Sequence, residues 1–361
     1  MSKDYKALVS QLQRRMNPDN YSDVRLFGES INKDLLGVAG NNALEYVKRS
    51  MQGVAKEYTD RSIEAGTAVK NHLKDVLYQV DYEYQGSVMT NTHVKGNSDI
   101  DLLVLCDKFY YANNPVVQSK YSSELSSFQL NESQISRLKS HVASAGNYTG
   151  DSSQDLRDIR NKSENKMKAT YYKCDTTKPK CIAITNQNLH RDVDIVVAAW
   201  HKTYEGIRDG VSKKNSIRVY DKDHDDVGRV ESPFVSIDRI NTKDSSVNGR
   251  LKKMIRFVKT LKYDSQKLID LSSFEINAIC YNIDTSKYSG KAFYDLVPVL
   301  AQEFAEIVTN ASYRDSIMSV DGSESVFRGK EKKSNSIALM YLEIDELLKD
   351  LNFNAIPSYV R

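Results

Sequence analysis

The chain has 361 residues, of which 27% are charged and 40% are hydrophobic, and its formal net charge is +3. This length allows one large or two moderate domains, and so mild a charge does not by itself indicate a nucleic-acid partner. No apolar run approaches the roughly 20 residues that cross a bilayer, and residues 1–6 lead into no signal-peptide core. We therefore expect no membrane partner. The four cysteines form no CxxC pair, so we also expect free thiols and a cytoplasmic location.

The first 80 residues are predicted to be mainly helical. Residues 1–50 show helical patterns with polar breaks at 17–20 and 40–42. From about 43 to 80 the chain lacks proline and repeats apolar residues every three or four positions, which is typical of an amphipathic helix. We therefore predict one long helix, bent near Gly66, that leads into a turn at Gly86 and Ser87.

Strands and polar segments occupy the middle of the chain, and helices dominate from about residue 245. Strand patterns occur at 100–105, 181–185, 193–198 and 217–220, and helical patterns occur at 251–262, 274–282, about 288–312 and 334–351. Gly, Ser and Lys are frequent in 322–336, which predicts a mobile loop. The pattern predicts an α+β fold, with a mixed α/β lobe, a helical lobe and a ligand cleft between them.

The most informative stretch runs from Gly86 and Ser87 to Asp99-Ile100-Asp101. The two aspartates alternate with apolar residues, so both side chains project from one face of a strand. Neighbouring carboxylates repel one another, and a divalent cation between them removes that repulsion. Upstream, a glycine lets the backbone approach a ligand, and a serine adds a hydroxyl and an N–H for a phosphate. This combination indicates chemistry on a nucleotide.

A third carboxylate has a similar setting. Asp194 lies within an apolar strand, and Asp192 occupies the more polar position two residues earlier. If the two strands are neighbours, Asp194 joins Asp99 and Asp101, and three carboxylates would hold two Mg²⁺ ions, with Mn²⁺ as the alternative metal. One ion would activate an attacking hydroxyl, and both would stabilise charge at an α-phosphate. The alternative for any single Asp-x-Asp pattern is a solvated strand end.

A basic helix face is predicted in the second half of the chain. At about 100° per residue, Lys252, Arg256 and Lys259 fall within about 60° of one another. Such a face beside a buried apolar stripe can hold a triphosphate, and the alternative is a plain solvated face. Ser273, at the start of the next helix, would add a phosphate donor, and helix capping by Ser272 and Ser273 is compatible with that role.

These motifs resemble the polymerase-β-type nucleotidyltransferase superfamily. More narrowly, the chain is similar to the bacterial cGAS/DncV-like nucleotidyltransferases (CD-NTases) of anti-phage signalling systems, over about residues 40–345. The family pattern GS-x4-T-x5-SDxD is met by Ser87, Thr92, Ser98, Asp99 and Asp101.

The resemblance implies a fold and an activity. The fold would be a polymerase-β-like core with a mixed sheet and a long spine helix over residues 1–240, and a helical lobe over residues 241–361. The enzyme would join nucleoside triphosphates without a template into a cyclic di- or trinucleotide second messenger and release pyrophosphate. Its expected partners are nucleoside triphosphates, together with regulatory proteins.

The resemblance also implies roles for individual residues. Asp99, Asp101 and Asp194 would be the metal ligands and the catalytic residues. The predicted nucleotide-binding residues are Gly86, Ser87, Lys252, Arg256, Lys259 and Ser273.

Two other functions would fit the same residues. An enzyme that tails RNA or adenylates a substrate would use the same active site, although a net charge of +3 argues mildly against RNA tailing. A degenerate nucleotide-binding protein would be expected to lack one of the acids, and all three acids are present.

Overall fold

A computed structural model describes residues 3–16, 42–94, 96, 99–144 and 147–351. The chain divides into a helical unit, which combines Met1–Val54, Thr90–Ser98 and Arg239–Arg361, and a sheet unit, which combines Ala55–Met89 and Asp99–Asp238. The described N-terminal helices therefore group with the C-terminal helices. The predicted division into a core lobe over residues 1–240 and a helical lobe over residues 241–361 stays a prediction.

The secondary structure alternates helices and strands in the middle of the chain and is helical at both ends. The helices are α1 (Tyr5–Met16), α2 (Asn42–Met51), α3 (Lys56–Lys74), α4 (Asn114–Ser126), α5 (Glu132–Ser144), α6 (Ser152–Thr170), α7 (Tyr204–Asp209), α8 (Pro233–Ser246), α9 (Arg250–Asp264), α10 (Ser273–Asn282), α11 (Leu296–Thr309), α12 (Ala311–Ser316) and α13 (Lys332–Asp350). The strands are β1 (Val80–Gln85), β2 (Ile100–Ala112), β3 (Cys174–Asp175), β4 (Ile182–Asn186), β5 (Arg191–Lys202), β6 (Ser216–Asp221) and β7 (Asp226–Glu231).

Among the described residues, the sheet unit contains a mixed seven-stranded sheet, in which five strands follow the order β1-β2-β5-β4-β3. Strands β2 and β5 run parallel, and the pairs β1–β2, β3–β4 and β4–β5 are antiparallel. Strand β6 pairs antiparallel with the second half of β5 and with β7. Strand β5 therefore lies between β2 on one side and β4 and β6 on the other.

The two central strands are buried on both faces, which explains their nearly continuous apolar sequences. One face of β2 and β5 packs in a cluster with apolar residues of α3 and α6, and the other face packs in a cluster with Phe234. Fully burying a side chain of this size stabilises the fold by roughly 1.5–3 kcal/mol. Asp101 and Asp194 therefore lie just before the continuously buried stretches of these strands, residues 102–106 of β2 and 195–200 of β5.

The helical unit has a separate apolar core. Helices α1, α2, α9, α10, α11 and α13 each contribute buried residues to it. In the N-terminal part, Tyr46 and Val47 are both 0% exposed, and Met51 is 2% exposed. No helix among the described residues is long and apolar enough to cross a membrane.

The prediction of one long helix over residues 43–80 is wrong. The structure has two helices, α2 and α3, separated around Gly53, and then a strand that begins at Val80. The apolar residues of α2 pack in the core of the helical unit, whereas those of α3 pack against the sheet. The helical periodicity continues across the break because both segments are amphipathic, so periodicity alone could not reveal it.

The prediction of a mobile loop over residues 322–336 is confirmed only in part, because residues 322–331 form a loop that is anchored in the core and residues 332–336 begin α13. Val326 and Phe327 are 0% and 2% exposed and belong to the core of the helical unit. The backbone N–H of Val326 donates to the carbonyl of Ile317, and Ser325 forms a β-bridge with Met318. Two buried apolar residues therefore anchor a segment whose composition is typical of a loop. The polar break predicted at 17–20 lies outside the described residues, as do residues 40 and 41 of the second break, and Asn42 is the first residue of α2.

Candidate active site

Two of the predicted acids lie side by side in the sheet. In the parallel register of β2 and β5, Asp101 is opposite Asp194. Neighbouring strands are about 4.8 Å apart, so the two carboxyl groups start from adjacent backbone positions on the same face. The expected pairing of the two acidic strands is thus present in the structure.

The two acids lie near the start of buried strands, since Asp101 is the second residue of β2 and Asp194 is the fourth residue of β5. Ile100 and Val193, which pair in the same register, are 1% and 0% exposed and point into the core on the opposite face. Asp101 and Asp194 alternate with them, and the side chain of Asp194 remains 20% exposed. Strand alternation therefore fixes the carboxylates at the polar edge of an apolar sheet.

Asp99 and Asp192 extend this acidic edge by one more position on each strand. Both residues are exposed, and the carboxylate of Asp192 accepts a hydrogen bond of 2.6 Å from the hydroxyl of Thr185. The position of Asp192 matches the expectation of a solvent-facing residue. Four carboxyl groups thus occur on two adjacent strand ends.

Burial and mutual repulsion raise the pKa values of two of the acids. Burial, with a further contribution from the charges of Asp194 and Asp99, raises the pKa of Asp101 to about 7. Partial burial of its carboxyl group, followed by the charges of Asp194 and Asp192, also raises the pKa of Asp99. A bound cation would relieve this repulsion, which is the electrostatic character expected of a metal-binding edge.

The donor chemistry fits a hard divalent cation, since carboxylate oxygens are the ligands that Mg²⁺ prefers. Within the described residues, however, no group of three or more His, Cys, Asp or Glu side chains is gathered closely enough to hold a metal ion. The sheet register fixes Asp101 and Asp194 as a pair, with Asp99 as their near neighbour. The assignment of all three as metal ligands stays a prediction.

Gly86 brings the preceding turn against the acidic edge. It follows the last residue of β1, Gln85, which pairs with Asp101, and its φ of +86° lies in the left-handed region that favours glycine. A Cβ atom at this position would overlap a carboxylate oxygen of Asp101 and would lie 3.2 Å from its Cγ. Glycine therefore permits the close approach of the turn, and Ser87 follows it as a half-buried residue. The motif residue Ser98 lies outside the described residues.

Sequence reasoning missed a basic residue beside the acids. The ammonium group of Lys178 lies 3.7 Å from a carboxylate oxygen of Asp194. Lys178 belongs to the loop between β3 and β4, in the stretch Thr176-Thr177-Lys178-Pro179-Lys180. This stretch carries no helical or strand periodicity, so the only signal in the sequence was a pair of lysines that flank a proline.

The predicted basic helix face exists, but two of its members are buried in the helical unit. On α9, Arg256 and Lys259 are 7% and 2% exposed. Arg256 donates to the carbonyls of Met51 at 2.9 Å and of Asn91 at 2.7 Å, and Lys259 lies 3.4 Å from the carbonyl and hydroxyl oxygens of Thr92. The alternative of a plain solvated face does not apply to these two residues. Burial lowers the pKa of Lys259 to about 8.

Lys252 and Ser273, the other two predicted nucleotide-binding residues of the helical unit, are more exposed than Arg256 and Lys259. The side chain of Lys252 is 18% exposed, and its ammonium group lies 3.7 Å from Asp244. Ser273 is exposed at the first position of α10. Ser272 caps this helix, because its hydroxyl accepts from the N–H of Glu275 while the Glu275 carboxylate accepts from the N–H of Ser272. The expected capping is confirmed, and phosphate binding by Ser273 stays a prediction.

The chain matches known proteins over almost its whole length. Residues 238–349 match the model of the cGAS/DncV-like nucleotidyltransferase C-terminal helical domain. A protein described as a c-di-GMP synthase from Lachnospiraceae bacterium (strain RUG226) is 41% identical over 350 residues, which are 97% of this chain and 99% of the relative.

Two solved structures agree with this match. One is described as a STING-associated CdnE c-di-GMP synthase from Flavobacteriaceae sp.; it is 34% identical with a TM-score of 0.81 and covers 98% of this chain and 100% of its own. The other has the same description, comes from Capnocytophaga granulosa, and is 39% identical with a TM-score of 0.79 over 98% of this chain and 100% of its own. The α+β fold with a C-terminal helical domain is therefore confirmed, and the chain belongs to the cGAS/DncV-like nucleotidyltransferase family.

Proposed function

We propose that this nucleotidyltransferase makes cyclic di-GMP from two molecules of GTP with Mg²⁺ as the cofactor. The observation that carries the proposal is the pairing of Asp101 with Asp194 on adjacent parallel strands, beside the Gly86 turn. Support for the product comes from the relatives, since the proteins with 41% and 39% identity are both described as c-di-GMP synthases. Of the two ring sizes that the family resemblance implies, these descriptions favour the dinucleotide.

In the proposed reaction a ribose hydroxyl of one GTP attacks the α-phosphate of the other. A new oxygen–phosphorus bond forms, the bond to the β-phosphate breaks, and pyrophosphate leaves. A second transfer of the same kind closes the ring, so each cyclic product accompanies two pyrophosphates. Bound Mg²⁺ would supply Lewis acidity to the hydroxyl and the phosphate.

The protein residues would hold and orient these groups. Asp99, Asp101 and Asp194 would bind the cation, and Asp194 would accept the proton of the attacking hydroxyl. Gly86 would keep the turn close to Asp101, and Ser87 would donate to a phosphate of the GTP whose α-phosphate is attacked. For the basic residues of α9 and for Ser273, the proposed contacts with the triphosphate rest on the sequence resemblance.

The direct test is product analysis. Purified protein is incubated with Mg²⁺ and each nucleoside triphosphate, alone and in mixtures, and phosphatase-resistant products are identified by mass spectrometry while pyrophosphate is quantified. We expect GTP alone to suffice and to yield two pyrophosphates per cyclic product. A product that contains another base would contradict the proposed substrate, and label transfer from α-labelled ATP to RNA or protein would favour the tailing or adenylating alternative.

The proposed acids are tested by the double substitution Asp99→Ala with Asp101→Ala. We expect turnover to fall to the background of the assay while the circular dichroism spectrum is retained, because Asp99 precedes β2 and Asp101 is its second residue, outside the apolar core. Asp107→Ala is the matched control, since Asp107 is an exposed aspartate further along the same strand. Retained activity in the double variant would show that the site is elsewhere.

A further inference from the structure

The loop between β3 and β4 is held in place by a buried arginine. Arg160 of α6 is 1% exposed, and its guanidinium donates to the carbonyls of Lys178 at 2.9 Å and of Cys181 at 3.0 Å. It also donates to Glu164 at 2.8 Å, which compensates its charge. A buried guanidinium that binds two carbonyls of one loop fixes the course of that loop.

Two further features restrict the same loop. Lys222 donates to the carbonyl of Thr176, at the start of the loop, and pairs with Glu164 at 3.4 Å. Pro179 follows Lys178, and proline disfavours the helical conformation of the residue before it. The backbone of Lys178 is thus set before any ligand arrives, while its side chain remains 46% exposed.

The contact between Lys178 and Asp194 is an ion pair rather than a hydrogen bond. Its 3.7 Å separation exceeds the usual range of about 2.7–3.2 Å for an N–H donor. The carboxylate therefore does not saturate the three donors of the ammonium group. A half-exposed lysine in this setting can turn to a new anion without leaving its loop.

We propose that Lys178 binds a phosphate group of the nucleotide substrate, and that its ion pair with Asp194 is the resting arrangement that metal and substrate replace. A cation bound to Asp194 neutralises the partner of Lys178, and the arriving phosphate supplies a new anion at the same position. The inference rests on the proposed nucleotide chemistry at Asp101 and Asp194. It adds a residue from a loop outside the predicted motifs.

The test compares Lys178→Ala, Lys178→Arg and wild type in the full chain, with Lys180→Ala as the matched control. Lys180 is an exposed lysine two residues further along the same loop. Three quantities are measured: the KM for GTP, the affinity for a non-hydrolysable GTP analogue by calorimetry, and the affinity for Mn²⁺ without nucleotide by electron paramagnetic resonance.

We expect Lys178→Ala to raise KM and to weaken binding of the analogue by about tenfold to a hundredfold, the range for losing a hydrogen bond to a charged group. Lys178→Arg should restore most of the loss, and Lys180→Ala should have little effect. Binding of Mn²⁺ should stay the same or become tighter in Lys178→Ala, because a positive charge beside Asp194 is removed.

Two results would overturn the proposal. Unchanged analogue binding in Lys178→Ala would show that Lys178 contacts no phosphate. Loss of both Mn²⁺ and analogue binding would show that Lys178 only maintains the acidic edge. Failure of the proposed function is a different result, in which the wild type releases no pyrophosphate from GTP, and the comparison of analogue binding still decides the role of Lys178.

Discussion

Gly86 has a left-handed backbone conformation, and the carboxylate of Asp101 lies against the position of its missing Cβ. Gly290 shares the first feature and lacks the second. Gly290 has a similar φ of +76°, but nothing lies within 4 Å of the position of its missing Cβ. Alanine at either site meets the backbone strain, of roughly 1–2 kcal/mol. Only at Gly86 would the added methyl group also displace the carboxylate of Asp101.

We therefore expect Gly86→Ala to lower kcat by at least about a hundredfold, because a displacement of about 1 Å at a reacting centre has an effect of that size. Gly290→Ala should lower the melting temperature about as much as Gly86→Ala does, and it should leave kcat unchanged. Steady-state kinetics and thermal melts of both variants provide the measurement. Similar kcat values for the two variants would contradict a specific role for the Gly86 turn.

Asp101 makes the stability of the metal-free protein depend on pH. Its pKa is raised from 3.8 to about 7 in the folded chain, so the folded state binds the proton more tightly than the unfolded state. The stabilisation by this proton is present below pH 4 and is lost as the pH rises towards 7. Above pH 7 the folded protein holds a buried charge, at a cost on the order of a few kcal/mol.

We expect Asp101→Asn to raise the melting temperature of the metal-free protein by several degrees at pH 8 and by less at pH 5. Excess Mg²⁺ should reduce the difference at pH 8, because the cation compensates the charge in wild type. Thermal melts at both pH values, with and without Mg²⁺, test this. If Asp101→Asn raised the melting temperature more at pH 5 than at pH 8, the pKa of the Asp101 carboxyl group would not be raised.

At the scale of the element, α9 shows that a residue of a basic helix face can have a structural role beside a predicted contact with a ligand. Arg256 satisfies two backbone carbonyls, of Met51 and of Asn91. Asn91 has a φ of +52°, a conformation that asparagine tolerates better than most residues. The guanidinium therefore holds a bent segment against α9 within the helical unit.

Arg256→Met should destabilise the protein by about 1–3 kcal/mol, because the buried carbonyl of Met51 is left without its donor. Lys253→Met is the matched control on the same helix, since Lys253 is only half-buried and burial lowers its pKa. The control should be neutral or slightly stabilising. Denaturant unfolding of both variants measures the free energies, and equal effects would argue against the structural role of Arg256.

At the scale of the whole molecule, the helical unit is assembled from separate parts of the chain. Tyr46, Val47 and Met51 of α2 share one apolar core with α9, α11 and α13. Each of these three side chains contributes roughly 1.5–3 kcal/mol when fully buried. The C-terminal helices alone would expose the surface that α2 covers.

A fragment of residues 239–361 should therefore unfold without a cooperative transition, and addition of a fragment of residues 1–54 should restore cooperativity. Thermal melts followed by near-ultraviolet circular dichroism would show this. A fragment of residues 239–361 that melts cooperatively near the temperature of the full chain would contradict the expectation. The control is the fragment of residues 1–54 with Tyr46→Ser and Met51→Ser. Its addition should not restore the cooperative transition.

The sequence by itself determined the features that repeat locally. Alternation of acids with apolar residues placed Asp99 and Asp101 on one face of one strand and Asp194 on a second strand. Helical spacing placed Lys252, Arg256 and Lys259 together on α9. The α+β fold followed from the order of these patterns. Periods of two and of 3.6 residues depend only on neighbouring positions, so a single sequence reveals them.

The tertiary structure decided every feature that depends on residues distant in sequence. It paired Asp101 with Asp194 in a parallel register, and it brought Lys178 to Asp194 from a loop with no periodicity. It buried Arg256 against Met51 and Asn91, and it divided the predicted long helix at Gly53. Strand register and burial depend on packing across the whole chain, and no local pattern contains that information.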